Sequence, residues 1–306
     1  MMRAFFIWLS ENRHIRSFAE RSSAGQRMSA RFVAGTTVTD VMHATKAMND
    51  LGLSVSIDHL GENVTTAEEA RQSAASYREL LQEISARGLN ANVSLKLTHM
   101  GLDIDEKLAY DNVCGLVRLA AGMRNFVRVD MEGSPYTDRT LRLVHELHRA
   151  PGNENAVGAV IQSYLFRSEK DVEGLLAERI RIRLCKGAYQ EPPEIAFQKK
   201  SDVDANYVKL MKMLLKSGVY HGIATHDPRM IQATKDFARA ERIALDSFEF
   251  QMLYGIRRDL QQELVREGYR MRVYIPFGTE WYPYFMRRLA ERPANVFFVA
   301  KNMLRR

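Results

Sequence analysis

Residues 271–292, MRVYIPFGTEWYPYFMRRLAER, hold the densest candidate chemistry of the chain. An apolar run from Met271 to Phe277 ends at Gly278, and helix-like composition resumes at Trp281. Arg287 and Arg288 are adjacent, so on a helix they point roughly 100° apart. Both face one ligand only from a helix flank. Paired guanidiniums present forked donors that suit a small carboxylate. Glu291 lies within helical reach of either arginine. The same residues also read as a solvated basic face, so a carboxylate clamp needs partners elsewhere.

Those partners stand where apolar runs end: Asp58 and Glu62, Lys96, Asp130 and Glu132, Gln162, Arg183, Lys186 and Gly187, Thr225, His226 and Asp227, Glu249 and Gln251, and Tyr274. The run RLCKGAY, residues 183–189, sets Arg183 and Lys186 beside a Gly-Ala turn. A small residue admits a ligand close to backbone N–H groups, and a cation there suits phosphate. THD, residues 225–227, adds hydroxyl and imidazole one strand on, so the pair could hold a pyrophosphate. Ordinary turn chemistry explains the same residues. Lys96 and Lys186 could instead form Schiff bases. No HExxH motif and no Ser/His/Asp order is present; His226 with Asp227 is a weak metal candidate.

The elements that must position this set alternate in type. Apolar, β-forming runs begin near residues 53, 91, 126, 156, 180, 219, 243 and 271. Helical patterns separate them, among them 36–52 with Thr39 or Asp40 near its N-cap, 65–88, 137–150 and 202–218. Eight strand–helix units at this spacing predict an α/β fold, a (β/α)8 barrel over 35–306 preceded by a helical arm over 1–34. An open doubly wound sheet is the alternative, but no GxGxxG follows the first strand. In a barrel, the residues closing the strands gather at one face.

The 306 residues carry formal charge +7 with 46% hydrophobic and 26% charged residues, a globular balance. The basic residues form no long run, and no nucleic-acid signature appears. Two cysteines, Cys114 and Cys185, lack metal or redox spacing. Their scarcity predicts a reduced, cytoplasmic setting, and Cys185 is expected to be a buried small hydrophobe. The apolar run 4–9 is too short to span a bilayer. It reads as a helix docked on the body or as an amphipathic contact with a membrane surface.

SLKL, VRVDMEG, QSYL, RLCKGAY, ATHD, EFQMLYG, VYIPFG and W-x3-F-x-RRLAER occur in this order. Together they resemble proline dehydrogenase, in its short monofunctional bacterial form and in the matching domain of the bifunctional proline utilisation enzymes. The likeness spans about residues 31–300. It implies a distorted TIM-type barrel with FAD over the strand C-termini. It further implies oxidation of L-proline to Δ1-pyrroline-5-carboxylate, with electrons passing to a quinone at the inner face of the cytoplasmic membrane. By the matching motifs, Arg287, Arg288 and Lys96 would hold the proline carboxylate. Tyr274 and Tyr189 would wall the substrate, and Asp130 would orient its neighbours. Arg183 would donate towards flavin N5, Met131 and Gln162 would contact the ring system, and Lys186, Gly187, Ala188, Thr225 and His226 would hold the pyrophosphate and ribityl chain. Glu291 would reach the FAD sugar, and Glu62 would pair with the first arginine as a gate. One departure is His59, where the likeness leads one to expect an apolar residue.

Overall fold

The computed structural model describes residues 29–61, 63–282, 284 and 286. Helix α1 (Val38–Asp50) precedes β1 (Ser54–His59), and strictly alternating units follow: α2 (Ala67–Ala86), β2 (Ala91–Leu95), α3 (Glu106–Gly122), β3 (Val127–Val129), α4 (Thr137–Arg149), β4 (Val157–Gln162), α5 (Ser168–Ala177), β5 (Arg181–Cys185), α6 (Lys200–Lys216), β6 (His221–Ala224), α7 (Pro228–Ala240), β7 (Phe248–Leu253), α8 (Arg258–Arg266) and β8 (Arg270–Phe277). Every strand pairs in parallel with its sequence neighbour, and β8 returns to β1 in the register Val55↔Val273, so the sheet is a closed barrel. The expected (β/α)8 architecture is the observed one. Most of the 1–34 arm lies outside the described residues. Its end is tied to β8, since the Ala34 amide donates to the Pro276 carbonyl at 2.9 Å.

Local chemistry fixes the helix starts. Thr37 and Thr66 each build a capping box with the acid three residues on, Asp40 and Glu69. The expected cap at Thr39 or Asp40 is therefore corrected to Thr37. Asp40 is the third helical residue, where its carboxylate answers the cap's own amide. Asp227 caps α7, with Pro228 in the first turn, where no amide partner is needed. Strand β7 begins at Phe248, not at 243. Ala244–Ser247 closes a turn instead, with the Ser247 amide and hydroxyl both on the Ala244 carbonyl.

Side chains alternate across a strand, and here the two faces differ in kind. Val55, Ile57, Val93, Leu95, Val127, Val129, Ile182, Leu184, Ile223, Phe250, Val273 and Ile275 are fully buried in the layer shared with the helices. Each contributes about 1.5–3 kcal/mol by leaving water. The alternate residues face the barrel interior and include Ser56, Asp58, Ser94, Arg128, Arg183, Glu249, Gln251 and Tyr274. The lumen is thus polar and charged where barrels of this type are usually filled by branched apolar residues.

Candidate active site

Arg183 lies at the centre of the upper lumen and is only 6% exposed. Strand β5 turns it inward because Ile182 and Leu184 on either side face the helices. Its Nε donates to Gln251 Oε1 at 2.6 Å, Nη1 to Asp130 Oδ1 at 2.7 Å and to Ser94 Oγ at 3.1 Å, and Nη2 to Ser56 Oγ at 3.1 Å. Among the described residues these bonds occupy every N–H of the fork but one on Nη2. The guanidinium stands 5.1 Å from the Tyr274 ring centre. Tyr274 donates its hydroxyl to Asp130 Oδ2 at 2.8 Å, and Ser94 donates to Asp130 Oδ1 at 2.7 Å. Burial first, then the nearby Asp130 carboxylate, push the Tyr274 hydroxyl well above its ordinary pKa, so it stays a neutral donor.

Beside this cluster Lys96 approaches Asp58 at 3.3 Å, and the Tyr77 hydroxyl donates to the other Asp58 oxygen at 3.3 Å. Tyr77 comes from α2, is fully buried, and is likewise raised by burial and by Asp58. His59 stacks on Phe277 with ring centres 4.9 Å apart and neighbours His99 at 5.6 Å. Burial lowers His59, and burial with His59 and Lys96 nearby lowers His99 to about 3. Both rings are neutral at ordinary pH, so His59 brings an uncharged ring to the position where an apolar residue was expected.

The second part of the rim spans β4 to β6. Gln162 donates to the Glu132 carbonyl at 3.0 Å and accepts from the Ala188 amide at 3.3 Å. Gly187 has φ +124°, and a Cβ there would meet the Tyr164 ring at 2.5 Å, so only glycine lets the chain turn so close to it. Lys186 is held between Asp204 at 2.5 Å and Asp227 at 2.7 Å. Lys200 and Arg229 share the same two acids, so cations outnumber carboxylates there. Burial alone would raise Asp227, but hydrogen bonds from Lys186 and the Arg229 amide outweigh it and hold the carboxyl well below its usual range. Thr225 accepts from the Asp227 amide at 3.0 Å, and His226 Nε2 accepts from the Leu253 amide at 2.9 Å.

The fold therefore gathers Lys96, Asp130, Arg183 and Tyr274 in one cluster, with Gln162, Lys186, Gly187, Ala188, Thr225 and His226 along the adjoining rim. Met131 is buried beside Asp130, and Tyr189 is 38% exposed on the connection after β5. Glu62, Arg287, Arg288 and Glu291 lie outside the described residues. Cys185 is half-buried at the end of β5 and packs against the apolar core, its thiol directed at the Ile161 carbonyl, so the expected small hydrophobe is only partly covered. Sequence reasoning gave no role to Ser56, Ser94, Tyr77 or Asp204. Strand parity points to the two serines, whereas Tyr77 and Asp204 reach the site from helices and leave no local signal.

Comparison with known proteins identifies the family and agrees with the barrel. A family model described as proline dehydrogenase matches residues 41–301. Proline dehydrogenase 2 of Bacillus subtilis is 42% identical, covering 99% of either chain. Proline dehydrogenase of Deinococcus radiodurans is 42% identical over 91% of this chain and 90% of its own. Among solved structures, proline utilization A (PutA) from Bdellovibrio bacteriovorus, inactivated by N-propargylglycine, superimposes with a TM-score of 0.82 at 25% identity. That match covers 94% of this chain and 37% of the larger protein. With motifs, barrel and relatives in agreement, the chain belongs to the proline dehydrogenase family, oxidoreductases of proline catabolism.

Proposed function

We propose that the chain oxidises L-proline to Δ1-pyrroline-5-carboxylate with FAD as its cofactor and passes the electrons to a quinone, working from the cytoplasm against the inner face of the membrane. The observation that carries this reading is the buried Arg183 fork, braced by Asp130 and Gln251 beside the Tyr274 ring, with one Nη2 N–H left for a ligand. The residues present fit a dinucleotide flavin. Lys186, Lys200 and Arg229 exceed Asp204 and Asp227 in charge and would hold a pyrophosphate with Thr225 and His226. Gln162 and Met131 would flank the ring system. Bound FAD would supply the hydride acceptor.

The chain's own residues do the rest. Arg183 places fixed positive charge where negative charge develops, without reorganising during the reaction. Lys96, with Arg287 and Arg288, would bind the proline carboxylate, and Tyr274 and Tyr189 would close on the ring. Glu62 would pair with Arg287 over the bound substrate, and Glu291 would reach the cofactor's sugar. A lumen in which Lys96, Arg128, Arg183 and Arg272 face Asp58, Asp130 and Glu249 disfavours an ammonium, so the substrate amine enters neutral. The profile of kcat/KM should then rise with pH through the substrate ionisation; a flat profile removes this step. The Schiff-base alternative is disfavoured because Lys186 is locked between two carboxylates and Lys96 is paired with Asp58. Proline-dependent reduction of a dye, abolished when FAD is stripped and restored when it is returned, tests the reading. Equal turnover without FAD overturns it.

A further inference from the structure

Below Arg183 the lumen continues as one hydrogen-bonded column. Gln251 accepts from Arg183 Nε at 2.6 Å, and its Nε2 donates to Glu249 Oε1 at 2.6 Å. Glu249 also accepts from Arg272 Nε at 2.7 Å and from the Tyr220 hydroxyl at 2.9 Å. Arg272 Nη1 is anchored on the Val55 carbonyl at 2.6 Å. Gln251 is 4% exposed and Glu249 3% exposed, so water does not compete for these groups.

Two features make this column directional. A side-chain amide has an accepting end and a donating end. Glu249, kept ionised against its burial by Arg272, can only accept, so it draws the Gln251 NH2 to itself and leaves Oε1 for Arg183. A flipped amide would set donor against donor at Arg183 and acceptor against acceptor at Glu249. The path is also open only because β6 contributes a glycine at this level. Gly222 pairs in register with Arg183 on one side and Glu249 on the other. A Cβ on Gly222 would stand 2.3 Å from Gln251 Nε2 and 2.8 Å from Cδ. The amide therefore crosses the face of β6 to reach β5.

We propose that Gln251, polarised by Glu249 and admitted by Gly222, is a positioning residue that fixes the plane of the Arg183 guanidinium and so the direction of its remaining N–H. This rests on the flavin reading of the same site. Nothing in the column touches substrate; it acts through Arg183. Loss of the Nε acceptor leaves the fork held only at its Nη ends, by Asp130, Ser94 and Ser56, so that its plane can tilt. The effect should fall on the chemical step and on the cofactor's potential, because proline carboxylate binding is assigned to other cations.

The test uses the full chain loaded with FAD. Gln251→Met keeps the shape and removes both hydrogen bonds; Gly222→Ala leaves the amide intact and displaces it. Each should lower kcat about 10-fold, as for supporting residues behind a site, with KM for proline within about twofold. Each should also move the flavin reduction potential to a more negative value, since the cation is less well placed. Wild-type kcat and potential in both variants, or in whichever of them folds, overturn the proposal. An unmodified protein that takes up FAD and is reduced by proline keeps the functional reading intact in that case. Failure of the unmodified protein to do so overturns that reading instead.

Discussion

In strand β5, Ile182 and Leu184 are fully buried in the apolar layer under the helices, while Arg181 and Arg183, their immediate neighbours, face the lumen. The same division runs round the barrel. The outer layer is held by non-directional burial, which tolerates changes that keep volume and hydrophobicity. The lumen is held by oriented bonds among buried charges, where removing one partner strands the other. Both faces of the same eight strands thereby carry stability, and the inner one alone carries the candidate chemistry. Substitutions on the two faces should fail in different ways.

The largest effect is expected at Arg183→Met. It leaves the half-buried Asp130 without its guanidinium, which costs at most about 3–5 kcal/mol of stability, and proline turnover should fall by about 10²-fold or more. Turnover near wild type would detach Arg183 from the chemistry. Leu184→Ala, one residue away, should cost about 2–5 kcal/mol in denaturant unfolding with KM for proline unchanged. A large change in KM there would break the division between faces. Tyr274→Phe is milder. It removes one donor to Asp130 while two others remain, so kcat/KM should fall about 10-fold, in line with a lost hydrogen bond of roughly 1–2 kcal/mol.

The smallest effect concerns pH. Burial lowers His99 and His221 from 6.5 to about 3. Between those values the unfolded chain binds protons that the folded chain refuses, so stability is constant above the unfolded value and falls as pH drops below it. His99→Phe should leave the melting temperature unchanged at neutral pH and flatten its decline in acid, with His221, His59 and lowered carboxyls such as Asp227 supplying the slope that remains. An unchanged acid slope would mean that His99 takes up its proton in the folded state.

This separation explains what the sequence disclosed. Apolar runs at regular spacing reveal the outer layer, because burial writes itself as hydrophobicity. Strand-end residues such as Lys96, Asp130, Arg183 and Tyr274 reveal the rim, because closure of a parallel barrel brings all strand ends together. Asp130, Glu249 and Gln251 stand among the strand-end candidates, but the bonds by which they fix Arg183 were hidden. Gln251 and Glu249 look like any polar pair in alternation, and the value of Gly222 is a clearance of a few ångströms across a neighbouring strand. Tyr77 and Asp204 arrive from helices whose sequence spacing relates to their own packing. The start of β7 was misplaced because Ile243 and Ala244 look strand-like, while the Ala244–Ser247 turn is closed by backbone bonds.

The central claim is that the lumen cations hold proline against a flavin. The visible spectrum of the purified protein, recorded without oxygen before and after adding L-proline, tests it most directly. A yellow protein whose flavin band bleaches with L-proline is the result expected. A protein that takes up no FAD, or whose flavin band is indifferent to proline, would contradict it.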